Sequence, residues 1–173
     1  MTTEPYSIRL ATPEDIPAAL EMKLRAWEET YSDQRPASFF ENARASLEKQ
    51  ADWWTRGLAQ GAELWIATTA DGEVVGVAGG GPASDDDADT GISIELQLLY
   101  VLALAHGTGL GARLLETVLG QREAVLWVLE NNPRAQAFYA KQGFVADGRV
   151  EALLDDWAGL NEVRMVRRGG TRG

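Results

Sequence analysis

A chain of 173 residues, 45% hydrophobic and with six Trp, is long enough to bury one substantial core, and none of its apolar runs reaches the length of a membrane helix. A formal charge of -10 argues against a nucleic-acid partner, whose phosphates are bound by cationic groups, and suits a cationic one. Having no cysteine removes thiolate nucleophiles, disulfides and cysteine-based zinc sites, while a single histidine, His106, rules out a two-histidine metal centre and leaves a Ser-His-Asp triad only if it uses that residue.

The opening Met1-Thr-Thr-Glu-Pro lacks the basic start and apolar stretch of a signal peptide, so a cytoplasmic protein is expected. Residues 6–10 alternate as a short strand. Ala11-Thr-Pro-Glu-Asp15 then opens a helix: Thr12 suits the N-cap, Pro13 the first helical position, and Glu14 and Asp15 the positive end of the dipole. Leu20, Lys23, Leu24 and residues 27–31 continue it. A second helical region covers residues 37–60, with a break expected near Asp52-Trp-Trp54. Residues 63–69 and 73–79 alternate around Ala70-Asp71-Gly72, a tight-hairpin signal. Residues 79–91, with the run Asp85-Asp-Asp-Ala-Asp89, read as a mobile surface loop. After an apolar strand at 94–101, Leu110, Leu114, Leu115, Val118 and Leu119 recur at helical spacing. Residues 124–129 are continuously apolar, which predicts a strand covered on both faces. Asn132 and Pro133 suit the cap and first turn of a helix ending near Gly143, and strands at 144–150 and 162–166 close the chain. No linker or internal repeat interrupts residues 1–166, which read as one domain, and residues 167–173 read as a disordered tail.

The chemistry concentrates at residues 94–111. A buried strand there delivers His106-Gly-Thr-Gly-Leu-Gly111 to a helix N-terminus, an arrangement in which backbone N–H groups converge on a phosphate. Gly107-x-Gly109-x-x-Ala112 formally satisfies the dinucleotide fingerprint, and Glu130 ends the next strand where a ribose-binding acid would fall. Two features weigh against that reading. Residues 102–106 separate strand from glycines, where a dinucleotide loop follows at once, and only about sixty residues remain for the further βαβ units such a site needs.

The other phosphate carrier is coenzyme A. His106-x-x-Gly109-x-Gly111 resembles the [Gln/Arg]-x-x-Gly-x-[Gly/Ala] pyrophosphate loop of the GNAT superfamily of N-acetyltransferases, and Glu95-Leu-x-x-Leu-Tyr-Val101 looks like the strand before it. Leu126-Trp-Val-Leu-Glu-Asn-Asn-Pro-Arg-Ala-Gln-Ala-Phe-Tyr-Ala-Lys-Gln-Gly-Phe144 is similar to the second family motif, matched at Asn132, Ala135, Phe138, Tyr139, Gly143 and Phe144. The resemblance covers residues 93–145. It implies an α/β (α+β) fold with a mixed, mostly antiparallel sheet of seven strands and about four helices. Its central parallel pair, 93–101 and 124–130, would splay apart and be joined by the helix at 110–119.

The resemblance further implies direct transfer of an acetyl group from acetyl-CoA to a primary amine of a small molecule or peptide, without a metal. Backbone groups of His106, Gly107, Thr108, Gly109, Leu110, Gly111 and Ala112 would hold the pyrophosphate, and those of Leu99, Tyr100 and Val101 the pantetheine arm. Asn132 and Ala135 would complete the cofactor site. Tyr139 is the candidate donor of a proton to the departing thiolate, since a phenol titrating near 10 is protonated at neutral pH. It lies about 100° around the helix from Phe138, so one ring can fill the core while the other faces the cofactor. Glu95 is the candidate acceptor of the amine's proton. Trp27, Glu28 and Tyr31, with Trp53 or Trp54, would offer aromatic faces and a carboxylate to an ammonium group.

Each of these residues also has a plain structural reading. Asn132 as an N-cap is committed to a backbone N–H, Glu95 can be a solvated strand carboxylate, and the aromatics can be core packing. His106 and Thr108 stand where the family often places Arg, Gln or Lys, and Ala103 where proline is common. The loop therefore offers its ligand little positive charge, with Arg113 or Lys141 as sources of compensation. A non-catalytic acyl-CoA-binding module is the alternative function, and a homodimer is compatible with the sequence.

Overall fold

The hairpin signal at Ala70-Asp71-Gly72 folds as its alternation predicts. Strands β2 (Leu64–Thr68) and β3 (Val74–Pro82) pair antiparallel, and Gly72 takes a φ of 88° at the turn. The structure is a computed structural model that describes residues 5–169. In chain order the remaining elements are β1 (Ser7–Leu10), α1 (Ile16–Tyr31), α2 (Ala37–Ala45), α3 (Leu47–Ala59), β4 (Ile94–Val101), α4 (Leu110–Leu119), β5 (Ala124–Leu129), α5 (Pro133–Lys141), β6 (Val145–Ala152) and β7 (Asn161–Arg167). The seven strands hydrogen-bond in the order β1-β2-β3-β4-β5-β7-β6. β4 and β5 run parallel, with Glu95 opposite Val125, whereas β1 with β2, β2 with β3, β5 with β7 and β6 with β7 are antiparallel. A mixed sheet with a parallel pair joined through α4 is thus as expected, and the described residues form five α-helices rather than about four.

Two compact units make up the chain: residues up to Gly79 with Leu98–Val118, and Gly80–Gln97 with the residues from Leu119 onward. In the first, Ile16, Ala19 and Leu20 of α1, Ile66 and Ala67 of β2, Val75 and Val77 of β3, and Leu110 and Leu114 of α4 share one core. Each large apolar side chain buried this way contributes about 1.5–3 kcal/mol relative to exposure. α4 sits close on the sheet because residue 76 is glycine: a Cβ there would lie 2.9 Å from Leu114 Cδ1 and 3.3 Å from Ala67 Cβ. Gly76→Ala is expected to lower the urea-unfolding free energy by about 1 kcal/mol through this overpacking, with an unchanged m-value. In the second unit, Val125, Leu126, Leu129, Phe144 and Met165 are buried, and the apolar strand β5 is covered along its length as expected.

Local chemistry moved three boundaries. The break in the second helical region falls at Ser46, not near Asp52-Trp-Trp54. Ser46 Oγ donates to Ala43 O at 2.8 Å, a side-chain bond back into the preceding turn that competes with the helix, while Trp53 and Trp54 lie in uninterrupted α3. Residues 79–91 are built rather than loose: β3 runs on to Pro82, Ser84 Oγ accepts from the Asp86 N–H, and Asp85–Thr90 form a 3-10 turn with Asp87 and Thr90 buried. Arg167, assigned by sequence to the tail, is the last residue of β7; its guanidinium donates to the Gly120 and Arg122 carbonyls at 2.9 and 2.8 Å. Arg168 donates to Thr90 O, and residues 170–173 lie outside the described residues.

Candidate functional site

Strand β4 ends at Val101, and the chain turns through a 3-10 segment, Ala103–Ala105, before the glycines. Glu29 of α1 accepts the Ala103 N–H on Oε1 at 3.0 Å and so anchors the start of this connection. No sequence signal marks Glu29, because the partner lies 74 residues away. Gly107 and Gly109 have φ of 77° and 86°, conformations that side chains other than glycine rarely take, and nothing lies within 4 Å of where a Cβ would stand on either. The first backbone bond of α4 runs from Arg113 N–H to Gly109 O at 3.1 Å. The amides of Gly111 and Ala112, with that of Leu110, which donates to Thr108 Oγ1 at 3.4 Å, therefore precede the intrahelical ladder, where an anion is favoured by their orientation and by the dipole.

The side chains of the loop turn back on its own backbone. His106 Nε2 donates to Val101 O at 3.0 Å, which fixes the proton on that nitrogen; Thr108 Oγ1 donates to Ala105 O at 2.6 Å. Arg113, considered as a source of charge, donates to Tyr6 O at 3.3 Å. Lys141 is exposed near the end of α5. An anion placed at this loop would face backbone dipoles rather than cationic tips.

In the same unit the structure gathers some of the acceptor-site candidates and not others. Trp27 packs against Phe39 and Tyr100, with ring centroids 5.9 and 6.3 Å apart, and Tyr31 is buried. Burial, with the neighbouring Tyr31 adding to it, pushes the Tyr100 phenol up to about 12. Glu28 instead faces Arg44, with Oε1 3.9 Å from Nη2. Trp54 is partly buried against the core, whereas Trp53 is 67% exposed.

In the other unit Glu95 is half-buried. Burial pushes its carboxyl above the usual range, the charges of Asp87 and Glu162 add to this, and a hydrogen bond from the Ser84 backbone opposes it. Asn132 caps α5, its Oδ1 accepting the Ala135 N–H at 3.1 Å. Tyr139 is half-buried with its ring 5.3 Å from Phe138 and 5.9 Å from the buried Phe144.

Sequence reasoning missed the cluster beside Glu95. Arg164, 4% exposed on β7, donates from Nε to Asp147 Oδ2 at 2.7 Å, from Nη1 to Asp87 Oδ1 at 3.2 Å, and from Nη1 and Nη2 to the two Asp89 oxygens at 2.8 Å each. Trp127, paired with Arg164 across β5 and β7, donates from Nε1 to both Asp87 oxygens at 3.3 Å. A signal existed. One arginine inside the otherwise apolar Val163-Arg-Met-Val166, in a chain with five acids packed into residues 85–95, asks for a buried counter-ion.

Comparison with known proteins adds the following. A family description, acetyltransferase (GNAT) domain, matches residues 60–146. A probable N-acetyltransferase of Mycobacterium tuberculosis is 27% identical over 156 residues, covering 83% of this chain and 82% of that protein. An uncharacterized N-acetyltransferase of Mycobacterium bovis is 42% identical over 84 residues, 45% of this chain and 50% of its own length. Among solved structures, the PaiA N-acetyltransferase of Thermoplasma acidophilum in complex with coenzyme A has a TM-score of 0.67 at 21% identity, over 97% of this chain and 99% of that one. A ribosomal-protein-alanine N-acetyltransferase of Brucella melitensis has a TM-score of 0.68 at 23% identity, over 94% and 99%. These two likenesses concern the fold. Among the described residues, no helix is long and apolar enough to cross a membrane.

Proposed function

The chain belongs to the GNAT acetyltransferase family, and on that premise we propose that it transfers an acetyl group from acetyl-CoA directly to a primary amine of a small molecule or peptide. The observation that carries the reading is the pair of left-handed glycines, Gly107 and Gly109, opening in front of the α4 N-terminus at the end of a parallel strand. Such backbone admits a pyrophosphate to hydrogen-bonding distance of amides that the helix leaves over. Backbone groups at Leu99, Tyr100 and Val101 take the amide-rich pantetheine arm as an added strand would, with His106 already holding the Val101 carbonyl. Asn132 and Ala135 shape the start of α5, their mutual hydrogen bond leaving Asn132 Oδ1 as a structural rather than a ligand-seeking atom.

In the transfer the neutral amine attacks the thioester carbonyl carbon, the tetrahedral oxyanion collapses, and the carbon–sulfur bond breaks. Glu95 accepts the amine's proton, and its raised carboxyl pKa brings it nearer the working pH of a general base. Tyr139 donates its phenolic proton to the departing thiolate. Trp27 and Tyr31 supply the aromatic surface for the acceptor, with Glu28 as its carboxylate.

Gly109→Val tests the cradle. A β-branched residue at a φ of 86° is strained by about 1–2 kcal/mol, and its side chain fills the space a phosphate must enter. Calorimetric titration with coenzyme A is expected to show affinity at least about tenfold weaker than wild type, a loss of about 1.4 kcal/mol. Unchanged affinity would place the cofactor elsewhere. A thiol-release assay with acetyl-CoA across peptide, polyamine and small-molecule amines then reads turnover.

The loop side chains, committed to Val101 O and Ala105 O, favour a second reading in which the fold binds acyl-CoA without turning it over. Binding of acetyl-CoA with no thiol release to any amine selects that alternative.

A further inference from the structure

We propose that the outer edge of β6 is a dimerisation surface: residues 150–154 pair antiparallel with the same residues of a second copy of this chain, about a two-fold axis at Ala152. β6 ends the sheet order, and among the described residues no strand lies outside it. Such an edge presents a row of backbone groups that another strand can use, and chains ordinarily blunt it with charge or proline. This edge carries an apolar stripe instead. Val150, Ala152 and Leu154 alternate onto one face, and all three are exposed. Val150 is 49% exposed and Leu154 76%, the highest value among the large apolar side chains described.

The backbone turns the same three residues outward. Leu153 N–H donates to Leu160 O at 2.9 Å, and Ala152 lies opposite Asn161, whose carbonyl faces the other way and accepts the Glu130 N–H at 2.9 Å. Ala152 and Asn161 are therefore a non-hydrogen-bonded pair of the β6–β7 ladder, and the N–H groups of Val150, Ala152 and Leu154 point away from β7. In a ladder centred on Ala152, the Ala152 residues of the two copies exchange both bonds. Leu154 N–H of each copy donates to the Val150 carbonyl of the other. The stripe then packs on itself, Val150 against Leu154 and Ala152 against Ala152.

Both ends of the ladder are set by the chain. Before Val150 the pairing with β7 shifts between Ala146 and Val150, where Gly148 takes a φ of 90°, so residues 147–149 leave the regular strand. After Leu154 the chain turns at Asp155, with a φ of 55°. The charges at these ends are complementary across the axis. Arg149, held to its own Glu151 at 3.0 Å, comes to Asp155 of the other copy at each end. A foreign strand would lack this match, which counts in a chain whose formal charge of -10 otherwise opposes self-association. Because the same patch serves both copies, the contact is isologous and closes at the dimer.

The chain has no cysteine, so one introduced at Ala152 reports on the axis alone. Opposed residues of a hydrogen-bonded pair lie about 5.5 Å apart, within disulfide reach, whereas the two copies of residue 150 would stand about 13 Å apart. Under mild oxidation Ala152→Cys is expected to cross-link into dimers at least about tenfold faster than Val150→Cys. Sedimentation equilibrium of the full wild-type chain across a dilution series is expected to give about twice the chain mass. Leu154→Lys is expected to weaken that association at least about tenfold while circular dichroism shows the fold retained, since the side chain is exposed in the single chain. A monomeric wild type overturns the proposal, and one that gains mass only on adding an extended peptide would give the edge to a foreign strand instead. A dimer that Leu154→Lys leaves intact, or cross-linking as fast from residue 150 as from residue 152, overturns it equally.

Discussion

Tyr139→Phe is expected to lower kcat for acetyl transfer by about a hundredfold or more while changing the KM for acetyl-CoA little, because a general acid acts in the transition state and contributes about 10²–10⁴ in rate. The substitution keeps the ring, which packs 5.3 Å from Phe138 and 5.9 Å from Phe144, so α5 and its exit at Phe144 are preserved. Stopped-flow or thiol-release kinetics with the most active amine read the effect. A rate within about twofold of wild type would return Tyr139 to a packing role. The pH profile separates the acid from the base. Glu95 must be ionised to accept a proton, and its carboxyl is raised by burial first and by Asp87 and Glu162 next, so kcat/KM falls as pH drops through that raised value. Tyr139→Phe should retain this acidic limb at reduced height, and Glu95→Gln should remove it.

Arg164→Met is expected to destabilise the protein by about 3 kcal/mol at neutral pH, measured by urea unfolding. Arg164 and Asp87 are 4% and 1% exposed, and removing one partner leaves the other as an uncompensated buried charge. Trp127 Nε1 still donates to Asp87 but brings no charge. Combining Arg164→Met with Asp87→Leu is expected to recover most of the loss, since replacing both partners by apolar groups removes the stranded charge. An Arg164→Met variant as stable as wild type would show that the network contributes nothing net.

The sign of the pH dependence follows from its other members. Arg164 holds the Asp89 carboxyl below the usual range. Asp147 is pushed up by burial but brought net below it by Arg164 and the Arg149 N–H. Depressed carboxylates stabilise the fold above the ordinary value near 3.9 and lose that contribution as pH falls through their folded values. The gap between wild type and Arg164→Met should therefore narrow in acid. Because Asp87 already raises Glu95, leaving its charge uncompensated should move the acidic limb of kcat/KM to higher pH.

These two predictions differ in how far the sequence foresaw them. Tyr139 and Glu95 stand at motif positions legible in the sequence, and the strand, loop and helix at 94–119 stand where glycine spacing and helical periodicity place them. Such features are local: a positive φ, an N-cap and an apolar stripe each depend on residues within a turn or two. The Arg164 network was invisible because its members lie up to 77 residues apart, and the same acidic run that anchors it reads locally as a solvated loop. The break at Ser46 escaped for a smaller reason. A serine mid-helix bends the chain only if its hydroxyl turns back to a carbonyl, as Ser46 does to Ala43.

The sequence by itself determined the order of strands and helices, the glycine loop before α4 and the family, because each is written in neighbouring residues and their periodicity. Tertiary structure alone decided which charges are buried and which side chains are spent. It gave Arg164 its three carboxylates, turned His106 and Thr108 onto the loop's own carbonyls, and set Lys23 Nζ over the rings of Trp27 and Trp54. The physical reason is that desolvation and ion pairing depend on distances through space, which separation along the chain does not set.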